Sequence, residues 1–153
     1  MPIPTLSFKS SFEENPKLAK PANKLRTLLA SIEKKDIPAS VESEINEIIS
    51  GVNNFPGPDP LLIKQISSAQ TAILKLLEKE LGIYPKNHFQ TQWLPIGMAA
   101  FGIPMGVAFG TAMGNLAFLG IGLPLGMAIG IAIGNSKDKE AAAKGKQLDW
   151  PSE

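Results

Sequence analysis

Two patterns of apolar and polar residues divide the chain. Up to His88, apolar positions recur at helical spacing among charged ones. Leu25, Leu28, Leu29 and Ile32 share one face and predict a helix over Pro21 to Lys35. Asp36-Ile37-Pro38 breaks it. Val41, Ile45, Ile48 and Val52 predict a second helix from about Ser40 to Val52, with Glu42, Glu44 and Glu47 on its wet side. Asn53-Asn54-Phe55-Pro56-Gly57-Pro58 reads as a loop on turn chemistry alone. Asp59-Pro60 then starts a third helix, because the carboxylate can cap and proline suits the first helical position. It carries Leu62, Ile66, Ala69, Ile73, Leu76 and Leu77 inward as far as Leu81, and Gly82-Ile83-Tyr84-Pro85 ends it. These three amphipathic helices predict a small N-terminal helical bundle over residues 17–84, preceded by an extended, proline-containing arm over 1–16. A core of that size is marginal alone, so the bundle is expected to lean on neighbouring copies or on a membrane surface.

After His88 the pattern changes, and no charged residue appears before Lys137. An uncharged apolar run of this kind predicts membrane spans, since each needs about 20 residues to cross roughly 30 Å of hydrocarbon. The stretch from Leu94 to Gly134 would be about 60 Å long as one helix at ~1.5 Å per residue, twice too long. Two spans fit if the chain turns near the middle. Gly114-Asn115 is the preferred turn, since both residues tolerate the left-handed backbone. Gly120 and Gly122 offer a second turn, with Pro124 close to the start of the following helix. The preferred helices cover roughly 94–114 and 117–135. Period-two alternation of Gly and Ala leaves a β-strand open as an alternative, but a two-stranded sheet exposes edges that lipid cannot satisfy.

Within the stretch one phrase is spoken twice. Residues 101–115 read FGIPMGVAFGTAMGN and residues 121–135 read IGLPLGMAIGIAIGN. Gly102, Gly106, Gly110 and Gly114 recur at i+4, as do Gly122, Gly126, Gly130 and Gly134. Glycine inside a helix costs about 1 kcal/mol relative to alanine, so eight at this spacing need a compensating gain. The spacing places four on one ridge of each helix, where another backbone can come close, and close approach is what associates helices in lipid. Pro104, Ala108 and Ala112 form a second small ridge on the opposite side, as do Pro124, Ala128 and Ala132. Phe101, Met105, Phe109 and Met113 form one bulky ridge between them, and Ile103, Val107 and Thr111 the other. A helix pair uses only one small face, so the other asks for a further copy. A head-to-tail contact of that kind closes into a ring.

These repeats resemble those of the bacterial glycine-zipper membrane proteins, which cross the membrane twice. The resemblance is limited to residues 101–135. It implies a homo-oligomer, and for some members of that group a channel.

Composition narrows the remaining choices. A net charge of +1 argues against electrostatic nucleic-acid binding. The absence of cysteine removes disulfides, thiolate metal sites and thiol nucleophiles. The first residues lack the apolar core of a signal peptide. Lys86 precedes the first span and Lys137, Lys139, Lys144 and Lys146 follow the second, while the turn has no Lys or Arg. By the positive-inside rule both termini are cytoplasmic and the chain is expected in the inner (cell) membrane. Trp93 is the expected interface anchor, within a linker over 85–93, and residues 136–153 read as a charged, solvated tail. His88 is the one histidine and reads as an interfacial polar residue. With no imidazole, thiol or phosphate-loop constellation, neither an enzyme, a metal site nor a cofactor is expected.

The expectation is therefore an all-α membrane protein, an N-terminal bundle followed by a transmembrane glycine-zipper hairpin over 94–135. Its partners would be itself, membrane lipid and, in a second reading, a cytoplasmic protein recruited to a scaffold that does not conduct. Polar side chains at membrane depth tend to face a bundle interior or a water-filled path. The candidate pore lining is therefore the ridge of Ile103, Val107, Thr111 and Asn115.

Overall fold

The structure, a computed structural model, describes residues 16–151. It is mostly helical, and the chain divides into two compact units, Met1–Ile83 and Tyr84–Glu153. The arm expected over 1–16 lies outside the described residues except for Pro16.

The first unit contains α1 (Pro16–Ile32), α2 (Ala39–Asn53) and α3 (Asp59–Leu81). Both α1 and α2 pack on α3. Helix α1 begins at Pro16, earlier than the expected Pro21, and Leu18 extends its buried face one turn toward the N-terminus from Ala22. Leu25, Leu28, Leu29 and Ile32 lie on that face as the periodicity predicts. On α2 the buried positions are Val41, Ile45, Ile49 and Val52, while the expected Ile48 is only half-buried. Asp59 is the first residue of α3 and Pro58 its cap, so the carboxylate acts on the positive end of the helix from within the first turn. Ile66, Ala69, Ile73 and Leu77 face the core, with Leu62 and Leu76 at its margin. The buried Gln70 donates from Nε2 to the Pro21 carbonyl at 3.1 Å, fixing α3 against α1. Gly82, at φ 60°, closes α3 in the left-handed conformation.

The second unit contains β1 (Tyr84–Lys86), α4 (His88–Gly97), a π-helical turn (Met98–Gly102), α5 (Ile103–Ala112), a 3-10 turn (Leu116–Phe118), α6 (Leu119–Ala143) and β2 (Gln147–Pro151). Two continuous helical stretches, His88–Ala112 and Leu119–Ala143, are long and apolar enough to cross a membrane. The chain turns between them at Gly114, whose φ is 66°. Asn115 Oδ1 accepts from the Ala117 amide at 2.9 Å, shaping the turn.

Two sequence expectations shift here. The chain over 85–93 is a strand and a helix start, not a linker. The solvated tail expected over 136–153 is ordered as far as Pro151: its short helical tendency becomes part of α6, which runs through SKDKEAAA to Ala143, and Gly145, at φ 69°, ends it. Gln147 to Pro151 then pairs in parallel with β1, adding a two-stranded sheet to a chain expected to be all-α. Leu148 and Trp150 alternate inward along β2 and are buried. Asp149 points outward and pairs with Lys86 across the sheet.

Ile73 is fully buried at the helix that both others use. Ile73→Ala should cost about 2–5 kcal/mol of stability, read by denaturant unfolding of the full chain followed by circular dichroism. The half-exposed Leu61 replaced by Ala should cost less than about 0.5 kcal/mol.

Candidate functional site

The site that organises the second unit is the seam along which α6 runs antiparallel to α4 and α5. The contacts run in opposite directions along the two helices. Gly122 fits between Gly102 and Gly106, Gly126 between Gly97 and Gly102, Gly130 against Trp93 and Leu94, and Gly134 against Phe89 and Gln90. Backbone meets backbone throughout. A Cβ on Gly122 would lie 2.5 Å from the Gly106 Cα, one on Gly126 2.5 Å from the Gly102 Cα, and one on Gly134 2.8 Å from the Phe89 carbonyl oxygen. One on Gly106 would lie 2.9 Å from the Leu119 Cα. Nothing at these points is a flexible side chain that can move aside. Gly110 is buried on the same ridge. Gly114, the last of the expected packing glycines of the first phrase, leaves the seam; it forms the turn, and a Cβ there would have no neighbour within 4 Å.

The seam also uses a glycine that the repeat does not include. Gly97 precedes Gly102 by five residues, a spacing that turns it about 140° away in an α-helix. The π turn absorbs the extra residue: the Ile103 amide bonds back to the Met98 carbonyl, five residues earlier. Its cause is local. Pro104 has no amide hydrogen and its ring crowds the carbonyl four residues back, which favours widening the helix at this point. Gly97 is thereby returned to the ridge, where a Cβ would lie 2.6 Å from the Gly130 Cα.

The α6 ridge continues past Gly134 to Asp138, which is buried. Its carboxylate accepts the amides of Phe89 at 3.1 Å and Gln90 at 3.0 Å. Asn87, at the cap position, makes no side-chain capping bond, so the start of α4 is capped by a residue of the other helix. Two amide donors and the positive end of the helix offset the cost of burying the charge. The only sequence signal for this role is the i+4 step from Gly134; the charge by itself assigns Asp138 to the solvated tail.

Around this cap Tyr84 packs on His88 and Phe89, with ring centroids 5.1 and 4.8 Å apart. His88 and Phe89 meet edge to face at 5.1 Å, so the histidine sits in an aromatic cluster. Lys137 Nζ lies 5.7 Å from the Trp93 ring centroid and 6.0 Å from that of Phe89. Among the described residues no group of three or more His, Cys, Asp or Glu can hold a metal.

Ile103, Val107, Thr111 and Asn115 face away from the seam and are exposed on the single chain. Thr111 Oγ1 bonds to the Val107 and Ala108 carbonyls at 2.9 and 3.0 Å, so its hydroxyl is satisfied within its own helix. The second small ridge, Pro104, Ala108 and Ala112 with Pro124, Ala128 and Ala132, is also exposed throughout.

Comparison with known proteins gives no match. No family model fits the sequence, and no curated protein or solved structure is similar to it at a significant level.

Gly126→Ala should destabilise the antiparallel pair by about 1–3 kcal/mol, since the methyl meets backbone. Gly120→Ala, where a methyl enters open space, should be neutral or stabilise by up to about 1 kcal/mol. Thermal melts of both variants in the same detergent check this contrast. Asp138→Ala should cost about 1–3 kcal/mol by uncovering the amides of Phe89 and Gln90, read as faster hydrogen exchange at the start of α4.

Proposed function

We propose that the chain is a homo-oligomeric integral membrane protein. In this reading α4–α5 and α6 form a transmembrane hairpin with both termini cytoplasmic in the inner (cell) membrane. The outward surface of the helix pair supports it. Among the described residues, nine of the ten large apolar side chains that stand most exposed lie between Ile96 and Met127, Met113 at 61% and Ile121 at 52% among them. Only 22% of the most apolar part of each stretch is buried, whereas the core helix of a soluble protein is mostly covered. A continuous apolar surface of this kind needs lipid or protein around it.

One observation carries the oligomer. The seam consumes one small-residue face of each helix and leaves the opposite one uncovered. Ala108 and Ala112 of one copy can then approach Ala128 and Ala132 of the next with only methyl groups between the two backbones. Because the two faces differ, the contact is head-to-tail, and repetition closes a ring. The ridge of Ile103, Val107, Thr111 and Asn115 would line an axial path that selects by diameter and gates by dewetting.

A non-conducting scaffold is the second reading. The hydrogen bonds that Thr111 makes within its own helix favour it, as they leave the ridge apolar. So does a groove of about 410 Å³ between α2 and α3, edged by Glu44 and Glu47 and floored by Gly51, Ala69 and Ala72. It offers a cytoplasmic partner an acidic docking edge.

Ala112→Leu should shift the purified protein in nanodiscs from oligomer to monomer without unfolding it, whereas wild type should form closed rings by electron microscopy. Monomers of wild type at all concentrations would refute the oligomer. If the ring conducts in planar bilayers, Val107→Lys with Thr111→Lys should change its conductance or selectivity; an oligomer without conductance leaves the scaffold.

A further inference from the structure

All described charged side chains of the Tyr84–Glu153 unit lie at one end of the antiparallel pair, and the turn at Gly114 and Asn115 has none. Most are already committed. Lys86 pairs with Asp149, Lys144 with Glu140, and Asp138 with the amides of Phe89 and Gln90. The Lys137 ammonium is held instead against the Phe89 and Trp93 rings, on the flank of α4. Phe89, Trp93 and Ile96 are spaced four and three residues apart, so they run down one face of that helix. Phe89 and Trp93 are half-exposed and Ile96 is 47% exposed. The cation therefore stands at the head of an open apolar stripe.

We propose that this corner binds one anionic glycerophospholipid, with Lys137 on the headgroup phosphate and an acyl chain along Phe89, Trp93 and Ile96. The inference rests on the reading that the helices lie in a bilayer. The arrangement selects a lipid over a soluble anion for two reasons. The amides of Phe89 and Gln90 at the start of α4, where an anion is otherwise attracted, are occupied by Asp138 and are not offered to a free phosphate. The surface continuing from the lysine is apolar, which a soluble anion has no use for and a lipid tail does. Trp93 also has the amphipathic ring that favours headgroup depth. The contact of Lys137 with both rings fixes its ammonium there and leaves its outer side open to the phosphate.

The test is native mass spectrometry of the full-length protein released from vesicles of phosphatidylcholine containing a minority of phosphatidylglycerol. Wild type should retain phosphatidylglycerol above its bulk ratio. Lys137→Gln should lower that enrichment about fivefold, the attraction of one lysine for an anionic surface. Lys144→Gln, which removes a charge already paired with Glu140, should leave it unchanged. Retention at the bulk ratio by wild type, or equal loss in both variants, would overturn the proposal. Pure phosphatidylcholine vesicles separate the underlying reading. A chain that resists alkaline extraction from them is embedded whatever its lipid preference, and one that washes off refutes the bilayer reading and this proposal with it.

Discussion

The second unit depends on one steric condition: two helix backbones lie so close that no Cβ fits between them. Gly122 and Gly126 occupy the gaps left by Gly97, Gly102 and Gly106, and each would strike backbone if it carried a methyl. Glycine is an expensive helix residue, and in water such a stretch would have little reason to stay helical. Close approach returns that cost through dispersion along the whole contact, the gain available where lipid supplies no hydrophobic drive between helices. The same condition makes use of the π turn. Without it Gly97 would rotate off the seam and a larger neighbour would face Gly130.

The seam is finished at its ends by polar groups. At the closed end Gly114 reverses the chain with its own backbone freedom, and Asn115 bonds within the turn. At the open end Asp138 holds the first amides of α4, so the length of α6 is matched to the start of its partner. Beyond it, Gly145 turns the chain so that β2 pairs beside β1. Helix, cap and strand pairing thus fix the register of the two helices at the end where the charges gather. In the proposed reading that end is the cytoplasmic boundary of the membrane, which is consistent with an aromatic cluster and lysines at one level.

Much of this is legible in the residues. Glycine at i+4 over two matched phrases fixes which face of each helix can come close, and Gly114-Asn115 marks the turn by its backbone preferences. The core faces of α1 and α3 follow from helical spacing alone. What escapes the sequence does so for physical reasons. Gly97 is out of phase with the repeat until Pro104 widens the helix. Asp138 continues the ridge of Gly134, but a charge is ordinarily assigned to solvent, and only the partner helix's start reveals its use. The pairing of Tyr84–Lys86 with Gln147–Pro151 joins segments too short to carry a strand signal and far apart in sequence. Ile48 and Ile49 are adjacent, and which one turns inward is decided by α3.

The proposed membrane topology is open to a direct measurement because the chain has no native cysteine. Single cysteines at Asn115 and at Lys139 would be labelled in sealed cells with a membrane-impermeant maleimide, before and after permeabilisation. A hairpin spanning the bilayer predicts that Asn115→Cys reacts from outside the cytoplasmic membrane and Lys139→Cys only after permeabilisation. Both positions reacting from the same side would contradict it, and would place the helix pair on a membrane surface or within a soluble assembly.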